Sequence, residues 1–261
     1  MTKKLKYDKL ISYEIERAGF IMFKIKIADT IFKINNVYSY VERLCKGYIY
    51  EGDDFDYEIN SSEELIIEEQ NRIPEGENWT HQYIENIVVY RAIAMKFLEC
   101  DAFVMHAAVI AIGDKAYAFT AKSGTGKSTH ICLWKKLLGE QVYVVNGDKP
   151  VLRFIDGKLY AYGTPWCGKE MWNTNTKVEL DGICFLHRGL ENKIYPFTPG
   201  EASSLILKQV FLPKDSFGVI KTFDMVDKML NITKLWKLEC NISLEAAEVA
   251  YNAMVGGKYE N

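Results

Sequence analysis

Apolar and polar residues alternate between Phe20 and Ile34, through Met22 or Phe23, Ile25, Ile27 and then Ile31 to Ile34. A period of two marks a strand with one buried face, and the break at Ala28-Asp29 predicts a strand pair turning there. Residues 38–45 read as a short helix. From Glu51 to Glu77 there are eleven carboxylates and one basic residue, Arg72, around a strand-like DFDYEI and a second apolar patch, LIIEE. A solvated strand face accounts for this stretch, and docking of a basic partner is the competing reading.

Ile73-Pro74-Glu75-Gly76 is a linker signal, and after Trp79-Thr80 the apolar spacing becomes helical over residues 82–99, with Ile84, Ile87, Val88, Ile93, Ala94, Phe97 and Leu98 on one face. Residues 103–112 and 116–120 are apolar and β-rich on either side of Gly113-Asp114, which predicts a hairpin. Beyond it, strand-like runs (142–145, 151–154 and 182–186) alternate with helical ones (129–138, 201–211, 223–235 and 244–254). The order implies an α/β fold, a sheet covered by helices, preceded by a small β-rich N-terminal region. The expected division is 1–78 and 79–261.

Composition narrows the class. A chain of 261 residues with 48% hydrophobic positions can bury one large core or two small ones. Thirty-two basic against 35 acidic residues give a net charge of −3, which supplies no field for a nucleic-acid backbone. The basic start contains no apolar block of signal-peptide length, and no run approaches the ~20 apolar residues of a membrane span, so a cytoplasmic protein with no membrane partner is expected. Six cysteines and four histidines lie scattered without zinc-ligand spacing, which fits packed free thiols in a reducing compartment.

The chemistry concentrates at residues 121–128, AKSGTGKS. The phosphate-loop pattern Gly-x-x-x-x-Gly-Lys-Ser/Thr is met at every fixed position except the first, where Ala121 stands for Gly. Gly124 and Gly126 permit the backbone angles that turn consecutive N–H groups inward, and the helix that follows aims its positive end at the same point. Ser123, Gly124, Thr125, Gly126, Lys127, Ser128 and Thr129 are thus the expected nucleotide-binding residues. Lys127 would bridge phosphates, and the Ser128 hydroxyl would ligate Mg²⁺. Such a loop needs a carboxylate downstream, and Asp148 stands just past the strand at 142–145, where it would hold Mg²⁺ and orient a nucleophile. As Asn146-Gly147-Asp148 it is also turn chemistry. Arg188, after the strand at 182–186, would stabilise charge on a transferred phosphoryl group or form a surface ion pair.

The succession of His106 in VMHAA, the SGTGKST loop, the Asp-bearing strand end and GTPWCGK resembles the HPr kinase/phosphorylase family, which shares its phosphate-binding core with ATP-dependent phosphoenolpyruvate carboxykinases. The resemblance covers residues 80–255. It implies a P-loop core of that type, ATP and Mg²⁺ as cofactors, and phosphoryl transfer to a serine-type hydroxyl on a peptide, protein or small molecule. His106 would border the phosphate site, and Lys169 of GTPWCGK would bring positive charge to phosphate or substrate. Homo-oligomers are compatible with it. The chain departs from the family where two adjacent aspartates are usual and Gly147-Asp148 stands instead; Gly147 cannot move a proton. If its missing carboxylate limits the chemistry, Gly147→Asp should raise turnover. The signature that couples HPr binding to dephosphorylation is not evident after Leu186. The rival expectation is a catalytically weak nucleotide-binding regulator of the same fold, and a carboxykinase-like metabolic enzyme ranks last.

Overall fold

Ala28 and Asp29 both adopt positive φ, 51° and 58°, and this tight turn joins β1 (Ile21–Ile27) to β2 (Thr30–Asn36) as an antiparallel pair. The computed structural model describes residues 21–256, and it is mixed α/β. The backbone separates into two compact units, the second beginning at Ala94. That division falls inside a helix, α3 below.

In the first unit β2 also pairs in parallel with β3 (Tyr57–Asn60), giving a three-stranded sheet, β1-β2-β3. The helix expected at 38–45 is the shorter α1 (Tyr40–Leu44). The LIIEE patch is not a strand face: α2 (Glu63–Gln70) is a helix, started by Ser62, whose hydroxyl accepts from the Leu65 N–H. Ile66 is its fully buried residue, while Leu65 and Ile67 are exposed. Glu64 and Glu68 lie on the wet side of the helix, while Glu69 is buried and pairs with Arg72 and Arg91.

Helix α3 (His81–Phe97) leads into the second unit, whose sheet has nine strands. In order of the chain these are β4 (Ala102–Val104), β5 (Ala108–Ile112), β6 (Lys115–Thr120), β7 (Val142–Asn146), β8 (Val151–Ile155), β9 (Lys158–Tyr162), β10 (Lys177–Arg188), β11 (Lys193–Pro196) and β12 (Lys234–Cys240). The spatial order β4-β8-β9-β10-β6-β5-β7 branches at the long β10, which pairs with β9 through its first residues and with β12 through its last, β12 in turn carrying β11.

Alternation along the central strands decides what covers each face. Val109, Ala111, Ala116, Ala118, Ile183 and Phe185 point into one core, with Ala202 and Ile206 of α5 (Pro199–Ile206) and Met225, Val226 and Met229 of α6 (Ser216–Ile232). Their neighbours Ala108, Ile110, Tyr117, Phe119, Cys184 and Leu186 point into the other, with Ile131 and Trp134 of α4 (Lys127–Leu138) and Ala247, Ala250 and Met254 of α7 (Glu245–Met254). Both faces are dry, so these strands are apolar throughout.

Two expected helices change length. The one at 201–211 ends at Ile206, begun by a capping box of Thr198 and Glu201. The one at 223–235 instead spans Ser216–Ile232, begun by Asp215, and Leu235 belongs to β12. The strand expected at 103–112 is interrupted. Between β4 and β5 the N–H groups of Met105, His106 and Ala107 donate to the carbonyls of Pro150, Gln209 and Asp148, so His106 lies in a break between strands and not in one. Among the described residues no helix is long and apolar enough to cross a membrane.

Candidate active site at the glycine-rich loop

β6 ends at Thr120, and residues 121–126 turn directly into α4. Gly124 (φ 78°) and Gly126 (φ 126°) hold the left-handed angles that a side chain resists. Gly126 is the N-cap residue, and Lys127 and Ser128 open the helix. Ser123 and Gly124 are exposed, while Thr125 to Ser128 are half-buried and Thr129 is exposed. The first turn of α4 thus presents unpaired N–H groups beside a lysine.

Lys127 Nζ lies 2.8 Å from His106 Nε2, and the same nitrogen lies 3.1 Å from Asp148 Oδ1. The second oxygen of Asp148 faces Lys149 Nζ at 3.2 Å. Three residues taken from the loop, the break after β4 and the turn after β7 therefore meet at one imidazole nitrogen. That nitrogen has a single hydrogen-bonding position: it accepts from Lys127 or, when protonated, donates to Asp148. The other ring nitrogen, Nδ1, lies 2.9 Å from Gln209 Oε1, and the His106 carbonyl accepts from the Thr120 hydroxyl at 3.0 Å. Gln209 and Thr120 so fix the ring and its backbone. Gln209 carried no sequence signal, because it sits after a helix in the second half of the chain and only the fold brings it to His106.

Burial shapes the charges. It lowers the pKa of Lys127, with the Asp148 charge opposing. At Asp148 burial pushes upward, but the hydrogen bond to His106 and the charge of Lys149 outweigh it, so the carboxyl stays below its ordinary value and ionised.

Asp148 is positioned by a turn that the sequence half-announced. Asn146 is fully buried, and its Oδ1 accepts from the N–H groups of Asp148 (2.9 Å) and Lys149 (2.7 Å). Its Nδ2 donates to the Thr164 carbonyl, and the Thr164 hydroxyl donates to the Lys149 carbonyl at 2.7 Å. Thr164 is the second residue of the GTPWCGK loop, which in this way fastens the Asp148 turn. The loop's Gly168 takes φ 80°, and a Cβ there would lie 3.2 Å from the Cβ of Asp148.

The remaining predicted residues separate. Arg188 donates from Nη2 to the Gly124 carbonyl at 2.5 Å and from Nε to the Thr125 carbonyl at 3.2 Å, which makes it a clamp on the loop. Lys169 is exposed and lines neither cavity that adjoins the loop. Cys167 is buried and accepts from Asn173 Nδ2, and burial raises its thiol pKa. Of the cysteines expected to be packed, Cys45, Cys167 and Cys184 are buried but Cys132 is exposed. His130 is a core residue, accepting from Trp134 Nε1 at 2.9 Å against the Phe119 ring.

No protein family and no curated protein matches the chain. Among solved structures it is similar to the Hpr(Ser) kinase/phosphatase from Coxiella burnetii, at 11% identity over 59% of this chain and 97% of that one, with a TM-score of 0.34. The functional reading therefore stands on the residues and their geometry.

Proposed function

We propose that this protein is a phosphotransferase with a P-loop core of the HPr kinase/carboxykinase type, moving the γ-phosphoryl group of ATP to a serine-type hydroxyl. The observation that carries the reading is the meeting of Lys127, His106 and Asp148 at the mouth of a glycine-rich loop that opens a helix. Phosphoryl transfer asks little of a protein beyond position and charge, and these groups supply both.

The loop N–H groups and Lys127 would grip the phosphates. A phosphate that draws Lys127 away releases His106 Nε2, whose protonated form then donates to Asp148. Asp148, kept ionised, orients the acceptor hydroxyl and takes its proton as the oxygen bonds to the γ-phosphorus and the bond to the bridging oxygen of ADP breaks. Mg²⁺ fits the donor set at hand, an ionised carboxylate and the Ser128 hydroxyl, since this ion takes few protein oxygens and fills its shell with water and phosphate; it would neutralise charge on the phosphates.

A second reading, a nucleotide-binding regulator with little turnover, is favoured by Gly147, which leaves Asp148 without an acidic neighbour. One assay separates the two: Mg²⁺-dependent ATP binding and γ-phosphate turnover in the full chain, with Lys127→Ala as control. Binding with turnover, both lost in the control, supports the transferase. Binding without turnover in the presence of serine-containing acceptors supports the regulator, and absence of binding defeats both.

A further inference from the structure

Two cavities beside the glycine-rich loop, both lined by described residues, differ in their chemistry. The smaller, about 360 Å³, lies along α4 and the end of β12 and includes Leu133, Leu186, Asn241 and Ile242 in its wall. The larger, about 660 Å³, opens between the first half of the loop, the end of β10 and the segment after α5. Its polar wall consists of Lys122, Arg188, Lys208, His106, His187 and Gln209, with three hydroxyl residues, Thr120, Ser123 and Thr125, and no carboxylate lines it.

The absence of acid in that wall is notable in a chain with more acidic than basic residues. Lys122 and Lys208 pair with no carboxylate among the described residues, whereas many lysines elsewhere in this unit do, among them Lys115, Lys149, Lys158, Lys193, Lys221, Lys234 and Lys237. Uncompensated cations that converge on one concavity raise the local concentration of anions. The cavity adjoins the phosphate cradle: Ser123 and Thr125 of the loop line it, while Lys127 and Ser128 do not. It reaches the reacting groups through His106, which lines its wall and lies 3.1 Å from Asp148.

We propose that this cavity receives the phosphoryl acceptor and that the acceptor is an anion, a hydroxyl compound carrying at least one carboxylate. Lys122 and Lys208 hold the carboxylate and offset its repulsion by the neighbouring triphosphate, while the hydroxyl faces the His106–Asp148 pair. The acceptor role rests on the phosphotransferase reading; the cavity's preference for anions does not.

The test uses L-malate, which carries a hydroxyl and two carboxylates, and its neutral analogue L-malamide, titrated calorimetrically into the full chain with and without saturating Mg-ATP. Malate should bind at least about tenfold more tightly than malamide, a difference of about 1.4 kcal/mol. It should stay bound when Mg-ATP is present. The Lys122→Ala/Lys208→Ala double variant should lose the discrimination, and the Lys122→Arg/Lys208→Arg variant, which keeps the charge, should retain it. Equal binding of the two compounds, or binding of neither, overturns the proposal. So does a malate preference that survives the alanine pair or that Mg-ATP abolishes, since the anion then sits in the phosphate cradle. If malate behaves as expected but the chain neither binds nor turns over ATP, the anion site stands and the acceptor role falls with the transferase.

Discussion

The carbonyl oxygen of Cys167 occupies the space that a side chain on Gly147 would need: a Cβ built on Gly147 lies 2.7 Å from it. The Gly147 N–H meanwhile donates to the Trp172 carbonyl at 2.8 Å, so backbone presses on this residue from two sides. Read from sequence, Gly147 is a lost carboxylate. In three dimensions it is also where the GTPWCGK loop seats against the Asp148 turn, and Gly147→Asp would have to displace that loop first.

Gly147→Ala and Gly147→Asp should therefore both destabilise the protein, by about 1 to 3 kcal/mol, the usual range for overpacking against a part that yields only by moving backbone. Thermal unfolding checks this. Turnover should not rise in the Asp variant, contrary to the simple restoration argument, and an Asp variant that is as stable as the parent and faster would defeat the steric account.

His106, together with Lys149, keeps Asp148 acidic against the pull of its own burial. Removing it by His106→Ala leaves desolvation opposed chiefly by Lys149, so the carboxyl pKa rises. In the proposed transfer ionised Asp148 is the working form, and its loss on protonation would set the acid side of the rate profile. The acid limb of kcat/KM against pH should move to higher pH in His106→Ala. Gln209→Ala, which frees the ring at Nδ1, should move it in the same direction by less.

Arg188 meets two consecutive loop carbonyls from two nitrogens of one planar group, a geometry that lysine cannot copy. Arg188→Ala should weaken ATP binding about three- to tenfold, the weight of a charge-assisted hydrogen bond discounted for exposure. Arg188→Lys should recover only part of it. Faster amide exchange at Gly124 to Gly126 in both variants would tie the loss to the loop. A loss of turnover with unchanged ATP affinity and unchanged exchange would instead place the guanidinium on the transferred phosphoryl.

His130 gives the fold an acid sensitivity unrelated to the site. Burial takes its imidazole from 6.5 down to about 3, and Trp134 donates to the nitrogen that must stay unprotonated. Its folded pKa is below its unfolded one, so the unfolded chain binds the extra proton. Its stabilising contribution is complete above pH 6.5 and is lost as pH falls from there towards about 3. The cost should reach about 2 kcal/mol near pH ~5. His130→Gln, which still accepts from Trp134 and does not titrate, should flatten the melting temperature between neutral pH and pH ~5.

Local pattern was enough for much of this molecule. The glycines at 124 and 126, the lysine and serine after them and the apolar strand before them are contiguous, so the loop and its helix are legible wherever that string occurs. The strands at 116–120 and 142–145 are also plain as short, mostly apolar runs, whereas the run at 103–112 does not show its break at 105–107. LIIEE misleads because a short apolar run has no decisive period, and the Ser62 cap settles it as helix. β11 and β12 are half-polar, and they pair with each other across about 40 residues and, for β12, with β10.

What tertiary structure alone decided is convergence. His106 meets Lys127 and Asp148 because the chain leaves the sheet at residues 105–107 to bond three distant carbonyls, and no local period encodes that break. Gln209 reaches His106 across 103 positions. Asn146 and Thr164 set the Asp148 turn across a gap of 18. A sequence specifies φ, ψ and amphipathic faces over a few residues at a time; distances between side chains far apart in the chain follow only when two packed cores fix both faces of the sheet that carries them.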